Sequence, residues 1–264
     1  MEEEKKEIQK TKNGFGPGFM VILVVLFLIG IGLGFAASKI LDEPVKKDNT
    51  EEKEKKKEEK EPVVTTYAVT DEKVANLIKN IDVGALENCN GFEDYANDKK
   101  VESKDVSSLK AYRIGEREFY DSKKQSVSLD EFTKAIQKYL GKDYKYVPLT
   151  DGDEKDRCMS YVYDESTKTH NFQQTACGGT CGPTTDYKLV KAVDTDGVLK
   201  LDVKVIFASY EDGKMGYYSD YSKTSKIGTF EESVDPLYDK GADYQFTFKL
   251  EDGNYVFVSS EPVK

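Results

Sequence analysis

The sequence predicts an α+β domain carried on a single membrane span. Three observations lead there. An uncharged apolar run opens the chain at Phe19–Ala37, helical periodicity fills the stretch to Gly141, and strand alternation takes over after Tyr144. Helices first and strands afterwards argue for helices packed on one face of a curved antiparallel sheet.

The apolar run contains no charged or amide side chain. At about 1.5 Å per residue it reaches about 28 Å as a helix, close to the hydrocarbon thickness of a bilayer. Core helices of water-exposed domains keep a polar face, and this run has none. Residues 19–38 therefore read as the anchor. A cleaved signal peptide is the competing reading, because Gly34-Phe35-Ala36 and Ala36-Ala37-Ser38 loosely fit a small-residue cleavage site. The apolar run exceeds the roughly 7–15 residues of a signal core, which favours the uncleaved anchor. No Cys follows the run to serve as a lipid attachment site. Gly30 and Gly34 make a small-xxx-small pair on one helix face, the spacing that lets two helices approach closely and form a homodimer.

Residues 1–18 hold four Lys and four Glu. Upstream positive charge is Lys5, Lys6, Lys10, Lys12 and the terminal amine, against Lys39, Lys46 and Lys47 downstream. That small bias puts the N-terminal tail in the cytoplasm and the remainder outside. Residues 39–62 read as a spacer, of which 42–62 are almost entirely Lys, Glu and Asp between Pro44 and Pro62, with nothing there to bury. Glu51–Lys55 and Glu52–Lys56 have the spacing of helical ion pairs, worth a few tenths of a kcal/mol each.

Residues 63–264 form the extracytoplasmic domain, with a helical part at 63–145 and a sheet part at 146–264. The chain carries 39 basic and 49 acidic residues, and −9 of the imbalance lies beyond the spacer. An acidic domain repels nucleic acid, whose phosphates need a basic face.

In the helical part, Thr70 caps a helix with Val74, Leu77, Ile78 and Ile81 on one face. Val106, Leu109 and Tyr112 mark a second, short helix. The third runs from its cap at Ser128 through Leu129, Phe132, Ala135, Ile136, Tyr139 and Leu140 to a stop at Gly141. Glu131 completes a capping box there, and Val127 staples against Phe132. Beyond it, strands are predicted at Cys158–Tyr163, His170–Ala176, Tyr187–Val193, Leu199–Tyr210, Lys214–Tyr218, Tyr244–Leu250 and Tyr255–Ser259. Asp196-Gly197, Asp212-Gly213 and Asp252-Gly253 are hairpin turns. Residues 220–243 make a longer excursion containing Pro236, with a helical turn near Glu231–Val234.

A Tyr-x-Tyr-Asp strand at Tyr161–Asp164, a Cys-Gly-Gly turn at 177–179, Lys-Leu-Val-Lys-Ala at 188–192 and the closing Tyr-Gln-Phe-Thr-Phe-Lys and Gly-Asn-Tyr-Val-Phe segments stand together. With these the chain resembles uncharacterised single-pass, extracytoplasmic proteins of low-GC Gram-positive bacteria. Its helix-then-sheet order also looks like the cystatin/NTF2-like class of cone-shaped folds. That class has no common activity and implies no catalytic residue.

Cys89, Cys158, Cys177 and Cys181 all fall outside the anchor, tail and spacer. Four cysteines allow three pairings. The expectation is Cys177–Cys181 across a hairpin tip with Cys89–Cys158 tying the helical part to the sheet. Cys158, His170, Cys177 and Cys181 are an alternative zinc set, but their spacing fits no paired knuckle. A thiol sensor at Cys177 and Cys181 lacks the helix N-terminus that lowers thiol pKa in Cys-x2-Cys enzymes. Asp151-Gly-Asp153-Glu-Lys-Asp156 has Lys155 at the fifth place of an EF-hand loop and Val162 at the twelfth, so it reads as a turn.

His170 is the only histidine, and neither a Gly-x-Ser-x-Gly elbow nor a phosphate-binding glycine loop occurs. The reading leans away from an enzyme and implies no cofactor. Its leading function is a binding or scaffolding domain for an envelope ligand, held to the bilayer through residues 19–38. An envelope enzyme with an acid/base pocket in the concave sheet is the runner-up. Among seventeen tyrosines, Tyr161, Tyr163, Tyr217, Tyr218 and Tyr221 cluster on the predicted sheet. The first four are binding candidates, because rings beside polar groups hold glycans or peptides.

Overall fold

The computed structural model describes residues 61–83, 91–149, 159–173, 184–211, 213–229 and 233–264. By contacts the chain divides into Met1–Glu58 and Glu59–Lys264. The predicted anchor, Gly30, Gly34, nearly all of the spacer and all four cysteines lie outside the described residues, as does Asp151–Asp156. No helix among the described residues is long and apolar enough to cross a membrane.

The second unit is α+β, as expected, but it holds two sheets rather than one. The larger contains β1 (Val64–Tyr67), β6 (Asp186–Thr195), β7 (Val198–Glu211), β10 (Ala242–Glu251), β11 (Asn254–Pro262) and β2 (Val101–Glu102), in that order. β8 (Lys214–Tyr218) pairs with β7, and β9 (Lys226–Thr229) pairs with β8. The smaller sheet runs β3 (Ser126–Ser128), β5 (Thr169–Phe172), β4 (Tyr161–Asp164). Among the described residues, the strand pairings of the large sheet are all antiparallel. Two of its hairpins close through left-handed Asp-Gly pairs, with φ 53 and 82° at Asp196-Gly197 and 49 and 87° at Asp252-Gly253. Those are the angles of the type I′ turn, whose twist matches that of the strands it joins.

Helix α1 (Glu72–Ile81) buries the predicted Val74, Ile78 and Ile81. Its cap is Asp71 rather than Thr70, with the Asp71 carboxylate accepting from Lys73 N at 2.9 Å. Both caps supply an oxygen, but the carboxylate also meets the positive end of the helix dipole. Helix α2 (Ser108–Tyr120) is a full thirteen residues, not a short turn. Helix α3 (Leu129–Leu140) is capped by Ser128, whose hydroxyl accepts from Glu131 N at 3.2 Å. The Glu131 carboxylate pairs with Lys124 at 2.6 Å instead of reaching back to complete a box. Val127 and Phe132 are both fully buried, as a staple requires.

One face of the large sheet lines the core, and the helices and the small sheet supply the rest. Leu199, Leu201, Val203 and Val205 alternate along β7, and Phe246, Phe248 and Phe257 come from β10 and β11. Phe92 continues the aromatic layer, stacked on Tyr187 at 4.6 Å and on Phe246 at 5.5 Å. α3 packs on β11 and on α2. The 220–243 excursion holds Pro236 as expected, and residues 231–232 of the expected turn near Glu231–Val234 lie outside the described residues. It contains β9 and a 3-10 turn at Asp235–Lys240 with Pro236 in its first positions, covering Ile206, Ala208 and Tyr217.

Candidate functional site

The polar groups sort by whether the fold has already used them. Glu116 is buried, and it accepts from Tyr112 OH at 2.9 Å, Ser160 N at 2.5 Å and Arg113 at 2.6 Å. The Tyr112 oxygen in turn accepts from Tyr161 N at 3.0 Å. This network clamps the start of β4 to α2 and occupies both oxygens of the carboxylate. Asp194 is occupied in the same way, accepting from Gly197 N at 3.0 Å and Tyr255 OH at 2.7 Å, with Tyr67 OH 3.4 Å from Tyr255 OH. A buried Asp beside two phenols has the composition of an acid/base pair, but here it holds a hairpin turn.

His170 is 1% exposed on β5. It lies between Phe132, at a centroid distance of 4.0 Å, and Tyr163, at 5.0 Å. Its Nε2 is 3.3 Å from Tyr146 OH, and its Nδ1 is enclosed with no hydrogen-bond partner among the described residues. Burial lowers its pKa from 6.5 to about 4, so the ring is neutral at physiological pH. The other three members of the alternative zinc set lie outside the described residues.

The tyrosine candidates are not brought together. Tyr161 is fully buried against Phe119, Phe132 and Phe172. Tyr163 sits beside His170, whereas Tyr217 and Tyr218 are buried on β8. Alternation along a strand puts such rings inward as readily as outward, and the second sheet separates the two pairs.

Among the described residues, a groove of about 360 Å3 lies open beside β11. Its floor is Leu140, Val256 and Phe257, and Tyr144 forms one wall with its hydroxyl donated to Val106 O at 2.8 Å. Three local features shape it. β2 is only two residues long, paired to Ser259 and Ser260, before the chain turns away as a 3-10 turn at Ser103–Asp105. The Ser103 hydroxyl donates to Leu140 O, tying that turn to the end of α3. A register shift opposite Thr247 and Phe248 makes Val258 the extra residue of a β-bulge, which bends the strand at the groove. The β11 stretch from Asn254 to Val258 is thus unpaired on this side among the described residues.

The rim is charged. Lys104 and Lys100 bond Glu102 at 2.8 and 3.2 Å and hold its carboxyl below the usual carboxylate range. Asp143 and Glu251 stand on the same lining. An apolar floor, an unpaired strand and ionised rim groups suit recognition of an extended peptide by strand addition. Sequence reasoning missed this site because its residues come from four separate segments. The one available signal was Gly141, which ends α3 where the groove begins.

Comparison with family models, curated proteins and solved structures found no match to this chain.

Proposed function

We propose that the protein is a membrane-anchored extracytoplasmic binding or scaffolding module, non-enzymatic, whose ligand lies in the groove beside β11. The observation that carries the binding site is the unpaired Asn254–Val258 stretch, next to an apolar floor and a ring of ionised side chains. Residues 19–38 provide the anchor and 39–62 the spacer, with the N-terminus cytoplasmic. The helix-then-sheet order favours a cone-shaped, cystatin/NTF2-like arrangement for the domain. The outside compartment favours disulfides at Cys177–Cys181 and Cys89–Cys158.

Extended peptides selected from a random library on the chain 1–264 test the groove. Binding is expected to fall at least about tenfold for Val258→Asp, which puts a charge on the strand-addition surface. Peptides that bind both forms equally would remove the groove from the proposal. Protease added to intact cells tests the topology separately: it should digest residues 63–264 without lysis. A non-reducing peptide mass map reads the disulfides directly.

A further inference from the structure

The large sheet ends on β1, and no described strand pairs with its outer edge. Which groups point out there follows from the first pair of the ladder. Val63 and Asp196 exchange bonds, Asp196 N donating to Val63 O at 3.0 Å and Val63 N to Asp196 Oδ1 at 2.8 Å. Antiparallel ladders alternate, so Thr65 and Tyr67 bond β6, and the N–H and C=O of Val64 and Thr66 face away from the sheet.

Edge strands are normally guarded by charge, proline or extreme shortness. β2 has two residues with Lys100 and Lys104 on either side, and β9 begins at Lys226. β1 reads Val-Thr-Thr-Tyr, without charge, and Val63 and Val64 are 69% and 60% exposed. Val64 shares its face with Val198 through Thr195, so the open edge is flanked by apolar surface.

We propose that two copies of this chain pair through their β1 edges, antiparallel about Thr65, joining their large sheets. In that register Val64 of one copy meets Thr66 of the other, twice by symmetry, which gives four backbone hydrogen bonds. Thr65 faces its own copy, and Tyr67 lies opposite the second Val63. A strand that is complementary to itself makes a closed two-fold contact. Like charge opposes self-association of an acidic domain, and this edge is uncharged. The sixty residues that precede the described ones end at Lys60, four positions before β1. Copies tethered to one bilayer therefore deliver this edge to each other at raised local concentration. The contact is far smaller than a stable dimer in dilute solution needs, so the tether matters. The local concentration rests on the anchor proposed above; the pairing itself does not.

The test is energy transfer between donor- and acceptor-labelled populations of the chain 1–264 in phosphatidylcholine vesicles, across a series of protein-to-lipid ratios. Thr66→Pro removes an outward N–H without touching a bond to β6, and Val64→Lys adds an edge guard. Each is expected to move the association midpoint at least about tenfold toward higher protein density. In a Gly30→Ile/Gly34→Ile background both edge variants are expected to shift the midpoint by the same factor. No transfer at any ratio, or transfer unchanged by both edge variants, overturns the proposal, as does loss only in the glycine variant. If the chain fails to float with vesicles, the anchor fails, and the pairing is judged by sedimentation at high concentration. There a dimer weakened by both edge variants supports it, and a monomer throughout rejects it.

Discussion

His170 lies face to face on Phe132, with ring centroids 4.0 Å apart and planes 11° from parallel. The stack joins β5 to α3, so the small sheet and the helical pair meet on a ring that the fold accepts only uncharged. Protonation would give Nδ1 a hydrogen with no acceptor among the described residues and place a cation in the core.

Acid should therefore weaken the domain through this residue. The folded pKa is about 4 against 6.5 for the free side chain, so the unfolded chain binds the proton first. The stability is fully present above pH 6.5 and is lost as pH falls from there toward 4. Linkage puts the loss at about 2 kcal/mol by pH 5. Urea melts at pH 7 and pH 5 should show it in the native chain and not in His170→Phe. Asp82 works in the opposite sense, because burial raises its pKa and its contribution is lost as pH rises. The difference between native and variant isolates the histidine, and equal losses in both would contradict the assignment.

Glu116→Ala should be among the most damaging single changes. It strips Arg113, Tyr112 and Ser160 N of a shared acceptor inside the core. Breaking one side of a buried pair typically costs about 3–5 kcal/mol. Tyr112→Phe removes only the hydroxyl and should cost about 1–3 kcal/mol. Denaturant midpoints with an unchanged slope would measure both.

The two Asp-Gly turns differ in their surroundings. Alanine at Gly197 or Gly253 meets the same left-handed penalty of about 1–2 kcal/mol. At Gly197 the added carbon would also lie 3.4 Å from Leu250 Cβ, whereas at Gly253 nothing is within 4 Å. That distance is an ordinary van der Waals contact, so thermal melts should show the two alanine variants losing similar stability, and a much larger loss at either turn would contradict the shared left-handed geometry.

At the groove, binding and stability should separate. Lys104 is largely exposed and its partner Glu102 keeps Lys100, so Lys104→Glu should shift stability by no more than about 0.5 kcal/mol. It should change peptide preference toward cationic sequences, read by selection on both forms in parallel. Identical peptide pools would show that the rim does not touch the ligand.

Local chemistry was legible wherever the cause was local. Ser128 capping α3, Gly141 ending it and the Asp-Gly pairs at 196–197 and 252–253 all act within a few residues and stand where the sequence places them, while Asp212 lies outside the described residues. The Thr70 expectation missed by one position because neighbouring Thr and Asp offer similar cap oxygens. β1, β2 and β3 are two to four residues long, too short for alternation to register, and they exist only because a longer strand lies beside them.

Alone, then, the order of residues determined an early uncharged apolar run, an acidic remainder, three helices and the hairpins of an antiparallel meander, since all follow from composition or from short-range periodicity. Tertiary structure decided that the strands divide into two sheets, that His170 and Tyr161 point into aromatic packing, and that Glu116 and Asp194 are consumed by structure. It also decided that Lys100, Leu140, Glu251 and Val258 share one groove. The physical reason is that burial and hydrogen-bond satisfaction are set by partners distant in the chain, and no local pattern records which partner arrives.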